Sequence, residues 1–220
     1  MQKPSLADLR ENYTKAGLDI IDVHPDPFTQ FHNWMDLAIA SDIVDPNAMT
    51  LATADKDGIP SARIVLLKHY DTKGFCFFTN YTSQKGLDLA QNPHASIVIH
   101  WKELERQICI RGRVEKVTKE ESANYFHMRP HGSQIGATAS NQSHPISSRQ
   151  ELIDREKELL ETYPEGTAVP LPDFWGGYRL IPSYIEFWQG RPSRLHDRII
   201  YTSDAESKEL PNWTISRYCP

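Results

Sequence analysis

The chain has 220 residues, a formal net charge of −5, 39% hydrophobic and 24% charged residues. That length supports one domain with a real core, and the balance excludes a disordered, fibrous or generally nucleic-acid-binding protein. No apolar run approaches the roughly 20 residues that cross a bilayer, and Met1–Arg10 is polar, without the apolar middle of a secretory signal. The expectation is a cytoplasmic protein with no membrane and no nucleic-acid partner. Cys76, Cys109 and Cys219 are odd in number and widely spaced, which reads as reduced, mostly buried thiols and not as a disulfide or metal set.

Residues 1–20 read as a mobile arm, because Gly17 and a weak apolar stripe argue against a stable helix over 5–17. Residues 21–220 read as a single domain. Asp26 before Pro27 is an N-cap with proline at the first helical position, predicting a helix over 27–41 with Phe28, Phe31, Leu37 and Ala38 at helical spacing. The period then changes. Runs at 48–54, 61–70 and 75–80 are short and β-rich, separated by Asp57-Gly58 and Asp71-Thr72-Lys73-Gly74, which are hairpin signals. Ser83 caps a short helix ending near Asn92-Pro93, and strands follow at 95–102 and 106–117. Lys119–Arg129 is helical until Pro130, and Ser148-x-x-Glu151 is a capping box opening a helix to Thr162. Strands return at 177–190, 196–203 and 212–218.

Strands in hairpin succession, with helices inserted rather than alternating, give a mainly β fold: an antiparallel barrel with peripheral helices. A Rossmann or flavodoxin-like sheet is excluded, since βαβ alternation and a glycine-rich phosphate loop are both missing.

Arg194, His196 and Arg198 alternate with Leu195 and Asp197, so an extended strand would project three basic side chains from one face. Such a face is a poor core and a good cradle for an anionic substrate beside a group that titrates near neutral pH. Arg63 and Lys68 bracket an apolar strand at odd separation, so an ideal strand sends them to opposite faces. They read either as solvated strand ends or as groups for two anions. Phe78-Thr79-Asn80 leads into Ser83-Gln84-Lys85 at a helix N-terminus, where amides, a hydroxyl and an ammonium attract an anion. Alone, that segment also reads as an ordinary capped helix. Gln107 shares strand parity with Cys109, Arg111 and Arg113, a pattern that suits a solvated barrel face. Tyr125 and Arg129 are helix neighbours, with Ser133 just past Pro130. Phenol, guanidinium and hydroxyl together suit a phosphate monoester, although Tyr125 also reads as helix core.

Glu186-Phe187-Trp188-Gln189, followed after four residues by Arg194-Leu195-His196-Asp197-Arg198, resembles the hallmark run of the pyridoxine/pyridoxamine 5′-phosphate oxidases. Further motifs in family order extend the resemblance from about residue 10 to the C-terminus. It implies an FMN-binding split β-barrel, antiparallel, and a homodimer with FMN at the interface. It implies FMN contacts from Arg63, Ile64, Val65, Leu66, Leu67, Lys68, Phe78, Thr79, Gln84, Lys85, Gln107, Gln142, Ser143, Trp188 and Arg198, with Arg63 at the FMN phosphate. It assigns the substrate phosphate to Lys68, Tyr125, Arg129 and Ser133, and the pyridine ring to Arg194, Leu195 and His196, with Arg194 and His196 catalytic. Arg10 and Tyr13 fall in a segment that folds over bound substrate.

The implied reaction oxidises pyridoxine 5′-phosphate or pyridoxamine 5′-phosphate to pyridoxal 5′-phosphate with O2, releasing H2O2, and NH3 from the amine. Two departures stand out. Gln84 occupies a position where arginine is common, giving up a charge and a bidentate fork. Arg217-Tyr218-Cys219-Pro220 departs from the family's terminal Arg-Leu-x-Pro at its inner positions. These departures keep open a rival reading, a non-catalytic flavin- or pyridoxal-phosphate-binding relative on the same barrel. The Arg194/His196 pair opposes it.

Overall fold

The computed structural model describes residues 13–203 and 212–220. Its helices are α1 (Pro27–Ile39), α2 (Gln84–Gln91), α3 (Lys119–Met128), α4 (His131–Ala139) and α5 (Arg149–Thr162). Its strands are β1 (Ala48–Ala54), β2 (Pro60–Leu66), β3 (His69–Asp71), β4 (Gly74–Asn80), β5 (His94–Trp101), β6 (Arg106–Lys116), β7 (Trp175–Gln189), β8 (Asp197–Thr202) and β9 (Thr214–Tyr218). They form one sheet in the order β2-β1-β5-β6-β7-β4-β3, with β8 added to β7 and β9 to β8. The β3–β4, β4–β7, β7–β8 and β8–β9 pairings are antiparallel. The mainly β, antiparallel expectation holds. No helix among the described residues is long and apolar enough to cross a membrane.

The chain divides into two compact units. The first holds the described part of Met1–Met49 with Ile97–Arg111 and Pro182–Pro220; the second holds Thr50–Ser96 and Gly112–Ile181. β1, β5, β6 and β7 run from one unit into the other along the chain.

In the first unit α1 opens as its sequence dictates. The Asp26 carboxylate accepts from the Phe28 and Thr29 amides, and Pro27 occupies a position whose N–H would be unpaired in any case. Its buried face is Phe28, Phe31, Trp34, Met35 and Ala38, while Leu37 is exposed, contrary to the spacing reading. Trp34 meets Phe187 edge-on at 5.1 Å between centroids, and Phe187 meets Tyr201 at 5.5 Å. Buried Tyr201 satisfies its hydroxyl by donating to the His24 carbonyl at 2.6 Å. The second unit carries a separate apolar cluster of Phe126, Ile135, Val169 and Trp175.

Several local expectations are corrected. The run 61–70 is two strands, broken at Leu67-Lys68. Pro130 ends α3 because Arg129 before it is extended (ψ 150°), yet helix resumes at once as α4, with Pro130 in the N-cap position. Ser83 occupies the N-cap of α2, but its hydroxyl donates back to the Asn80 carbonyl at 2.6 Å and caps nothing. Ser148 caps α5, while the Glu151 carboxylate reaches Ser147 rather than completing the box. Cys76 is buried and Cys109 partly so, but Cys219 is exposed. In the arm, where no stable helix was expected, Tyr13–Leu18 is not helical, and the part before Tyr13, with Arg10, lies outside the described residues.

The largest correction concerns Arg194, His196 and Arg198. Only Arg198 lies in a strand. Arg194 closes a short 3-10 turn, Pro192–Arg194, in which Ser193 (φ 58°) and Arg194 (φ 63°) are both left-handed, and β8 starts at Asp197. The Gly190–Pro192 stretch and this turn break the pleat, so strand alternation does not set the directions of the three side chains.

Candidate functional site

The second unit contains a cavity of about 790 Å³, within the range of ligand sites. Arg63, Ile64, Val65 and Leu66 of β2 form one wall, and Lys68 joins them. The odd Arg63–Lys68 spacing does not separate the two cations, because β2 ends at Leu66 and the Lys68 amide pairs with the Cys76 carbonyl at 2.9 Å. That break resets the alternation. Leu67, at the break, is buried and does not line the cavity.

The end of β4 and the start of α2 supply Phe78, Thr79, Gln84 and Lys85. The Lys85 ammonium is 6% exposed and donates to Thr79 Oγ1 (3.2 Å), Ser83 Oγ (3.1 Å) and Gln142 Oε1 (2.9 Å). All three acceptors are neutral. Burial and the nearby Arg63 cation bring its pKa down to about 8, against an opposing pull from Asp88. Arg63 is held from behind: Nη1 donates to Thr53 Oγ1 at 2.7 Å and Nη2 to Ser61 Oγ at 2.5 Å, with the Asp88 carboxylate at 3.8 Å. Gln142 and Ser143, from the loop after α4, complete this side.

The opposite chemistry, aromatic with a guanidinium, comes from α3, α4 and the start of β7. Phe78 and Tyr125 stack at 4.0 Å, and Tyr125 is within 7° of parallel to Trp175. Gly177 makes room for this stack, since a Cβ there would sit 2.7 Å from the Phe78 ring. Arg129 lies over the Trp175 indole, Cζ 5.0 Å from the centroid, and its Nη1 is buried with no hydrogen-bond partner among the described residues. Burial pulls the Arg129 guanidinium below its ordinary range, Tyr125 opposing; it stays protonated at any physiological pH. Ser133 lines the same cavity. A buried, unpaired donor on a permanent cation is costly unless an anion arrives. These donors suit phosphate groups, that of FMN among them.

The first unit gathers another set of anticipated residues. Trp188 and His196 rings lie 4.6 Å apart, and Tyr13 meets both edge-on at 5.8 and 5.7 Å. Gly190 permits that approach, since a Cβ there would fall 2.7 Å from Tyr13. The Arg191 amide donates to His196 Nδ1 at 3.1 Å, which leaves the proton of a neutral ring on Nε2. Burial and then Arg194 lower the His196 pKa, Asp197 opposing, so the neutral ring dominates near pH 7. Arg198 faces Trp188 across the β7–β8 ladder. Its guanidinium grips Glu186 bidentately at 2.7 and 2.8 Å, and its Nη1 donates to the Cys219 carbonyl at 3.0 Å. Arg194 and Leu195 are exposed, and Gln107 is half-buried on β6.

Sequence reasoning missed Asn80, Pro130, Gly136, Ala137, Ser140 and Trp175 in the cavity wall. The Trp175-Gly176-Gly177 run was the available signal, because small residues beside a large aromatic mark close packing.

Residues 35–162 match the family described as pyridoxamine 5′-phosphate oxidase, and residues 175–220 match the pyridoxine 5′-phosphate oxidase C-terminal dimerisation region. The chain is 57% identical to a pyridoxine/pyridoxamine 5′-phosphate oxidase of Burkholderia orbicola, covering 98% of this chain and 99% of the relative. A Burkholderia ambifaria relative of the same name is 56% identical over the same shares. Among solved structures, PhzG from Burkholderia lata 383, in complex with tetrahydrophenazine-1-carboxylic acid, has a TM-score of 0.84 at 32% identity, covering 91% of this chain and 95% of that one. A pyridoxamine 5′-phosphate oxidase-related, FMN-binding protein from Nostoc punctiforme has a TM-score of 0.70 at 16% identity over 90% of this chain and 100% of its own, a likeness of fold. With whole-length identity of this order on a split-barrel fold, the chain belongs to the pyridoxine/pyridoxamine 5′-phosphate oxidase family.

Proposed function

We propose that this protein oxidises pyridoxine 5′-phosphate or pyridoxamine 5′-phosphate to pyridoxal 5′-phosphate, with FMN as cofactor and O2 as the final acceptor. The alcohol and O2 give aldehyde and H2O2; the amine, O2 and water give aldehyde, NH3 and H2O2. The observation that carries the reading is the buried, unpartnered Arg129 Nη1 in the same cavity as the Arg63/Lys85 cations. One cavity thus offers two phosphate-binding sets, as a phosphorylated cofactor and a phosphorylated substrate require. The relatives at 56–57% identity carry the matching name.

In this reading Arg63, Lys85, Thr79, Gln84, Gln142 and Ser143 hold the FMN phosphate side, and Ile64–Lys68 and Phe78 flank the cofactor. Lys68, Tyr125, Arg129 and Ser133 hold the substrate phosphate. Bound FMN supplies the hydride acceptor for the substrate C4′ carbon. His196, neutral and protonated at Nε2, donates a hydrogen bond to the C4′ oxygen or nitrogen, and Arg194 fixes its direction. Held as the Nε2–H tautomer by the Arg191 amide, His196 orients that atom and does not accept its proton. Trp188, Gln107 and Arg198 are proposed flavin contacts, and Tyr13 covers His196. The dimerisation region supports a homodimer, and FMN at its interface is part of the same proposal.

The likeness to PhzG supports a second reading, oxidation of a reduced tricyclic carboxylate. A carboxylate carries one charge, whereas Lys68, Tyr125, Arg129 and Ser133 offer donors enough for a dianion. The test is direct. The FMN-loaded protein is given each B6 phosphate, or tetrahydrophenazine-1-carboxylic acid, in air, and aldehyde and peroxide are followed. Aldehyde with equimolar peroxide is expected from a B6 phosphate. Turnover of the tricycle alone would favour the second reading, and a yellow protein inert to all three would favour a binding protein.

A further inference from the structure

Behind the cations of the cavity lies an acid that neither the motif nor the cavity lining singles out. Asp88 of α2 is 2% exposed. Its Oδ2 accepts from Thr53 Oγ1 at 2.6 Å and from Ser61 Oγ at 2.8 Å, and its Oδ1 accepts from Gln84 Nε2 at 2.7 Å. Those two hydroxyls are the same ones that accept from Arg63 Nη1 and Nη2. A hydroxyl has one proton and two lone pairs. With both protons committed to Asp88, the lone pairs of Thr53 and Ser61 are turned toward Arg63, and the guanidinium is fixed in the cavity wall. Burial pushes the Asp88 pKa up, but hydrogen bonds from Thr53, Gln84 and Ser61 and the Arg63 charge outweigh it, so the carboxylate stays ionised.

We propose that Asp88 is the positioning residue of the phosphate end: it sets the Thr53 and Ser61 hydroxyls that aim Arg63, and holds the Gln84 amide, so that a phosphorylated flavin is preferred over its unphosphorylated form. The inference rests on the reading of Arg63 and Lys85 as phosphate ligands. Its sign is opposite to that of simple charge counting. A carboxylate near a bound phosphate repels it, so deleting Asp88 should tighten binding if charge alone decided. If aim decides, deleting it weakens binding, because a guanidinium that must be ordered on binding gives back the advantage of being preorganised.

The test uses the full chain, stripped of flavin and titrated with FMN and with riboflavin, following flavin fluorescence. The wild-type protein is expected to prefer FMN. In Asp88→Ala the preference falls about tenfold, the scale of one charge-assisted hydrogen bond, with riboflavin affinity unchanged. Riboflavin, lacking the phosphate, reports whether the remainder of the site is intact. Thr53→Val cuts the same relay with little change of volume and decides the matter if the alanine variant does not fold; its FMN preference also drops. An undiminished or increased FMN preference in the folded variants overturns the role of Asp88. A wild-type protein that binds both flavins equally overturns instead the phosphate reading on which it rests.

Discussion

At Lys85 the structure places a cation where its charge is expensive. Its acceptors are neutral oxygens, and its pKa of about 8 reflects burial first and Arg63 second, with Asp88 opposing. A bound phosphate dianion reverses that balance and favours the ammonium. With Lys85 at the FMN phosphate, as proposed, FMN binding above pH 8 is coupled to proton uptake, and its affinity is expected to fall as pH rises through that value. For the flavin-free protein the expected trend is the opposite. There the cost of the charged lysine is fully present below the folded pKa of about 8 and fades as pH rises toward the ordinary lysine value of 10.5. From this group alone, stability without flavin increases over that window while flavin affinity decreases. Titrations with FMN at pH 7 and pH 9 should show weaker binding at the higher pH, and Lys85→Arg should flatten the difference, since arginine keeps its charge. Equal affinities in the unmodified protein would mean that Lys85 does not meet the phosphate.

α2 is the element that carries Lys85, Asp88 and Gln84 together, and its placement depends on a glycine. A Cβ on Gly86 would lie 2.1 Å from the Tyr81 carbonyl oxygen and 2.5 Å from its carbon. In an exposed helix Gly→Ala stabilises by about 1 kcal/mol. Here the added methyl meets backbone that cannot rotate away, so Gly86→Ala is expected to destabilise by roughly 1–3 kcal/mol, the usual cost of overpacking. The displaced helix carries with it three groups proposed for the phosphate end, so FMN affinity is expected to drop in the same variant. Thermal unfolding with and without FMN checks both effects, and an alanine variant as stable as the parent would show that α2 shifts freely. Nothing in the local sequence announces this. Ser83 before Gln84 looks like a cap, but its hydroxyl serves the preceding turn, and the close approach of Tyr81 to Gly86 depends on how the chain folds back before α2.

Across the whole molecule, what was legible was local and periodic. The Asp26-Pro27 start of α1 and the Gly58 and Gly74 turns follow from rules that act within a few residues. What was hidden depends on breaks in periodicity or on long-range partners. Parity put Arg63 and Lys68 on opposite faces until the break at Leu67 brought both to the cavity, and parity put Arg194 on a strand that begins only at Asp197. α4 escaped notice because Gly132, Gly136 and Thr138 are weak helix formers and Pro130 looked like a stop, and Asp88 because a single acid in a helix carries no motif. Oligomerisation is the remaining property that no local rule reaches. The region matching a dimerisation segment, residues 175–220, carries Trp188, His196 and Arg198. β2 ends the strand order, and Ile64 on it is 66% exposed, with Ile59 just before it at 65%. Exposed apolar edges of this kind are normally covered. If two chains pair and FMN binds only the pair, mass action requires FMN to stabilise the dimer. Sedimentation velocity across a dilution series should give twice the chain mass, with dissociation moving to lower concentration when FMN is present and flavin released as the dimer dissociates. A monomer that retains FMN at full affinity would place the cofactor within one chain and leave the dimer, where it forms, without a part in the site.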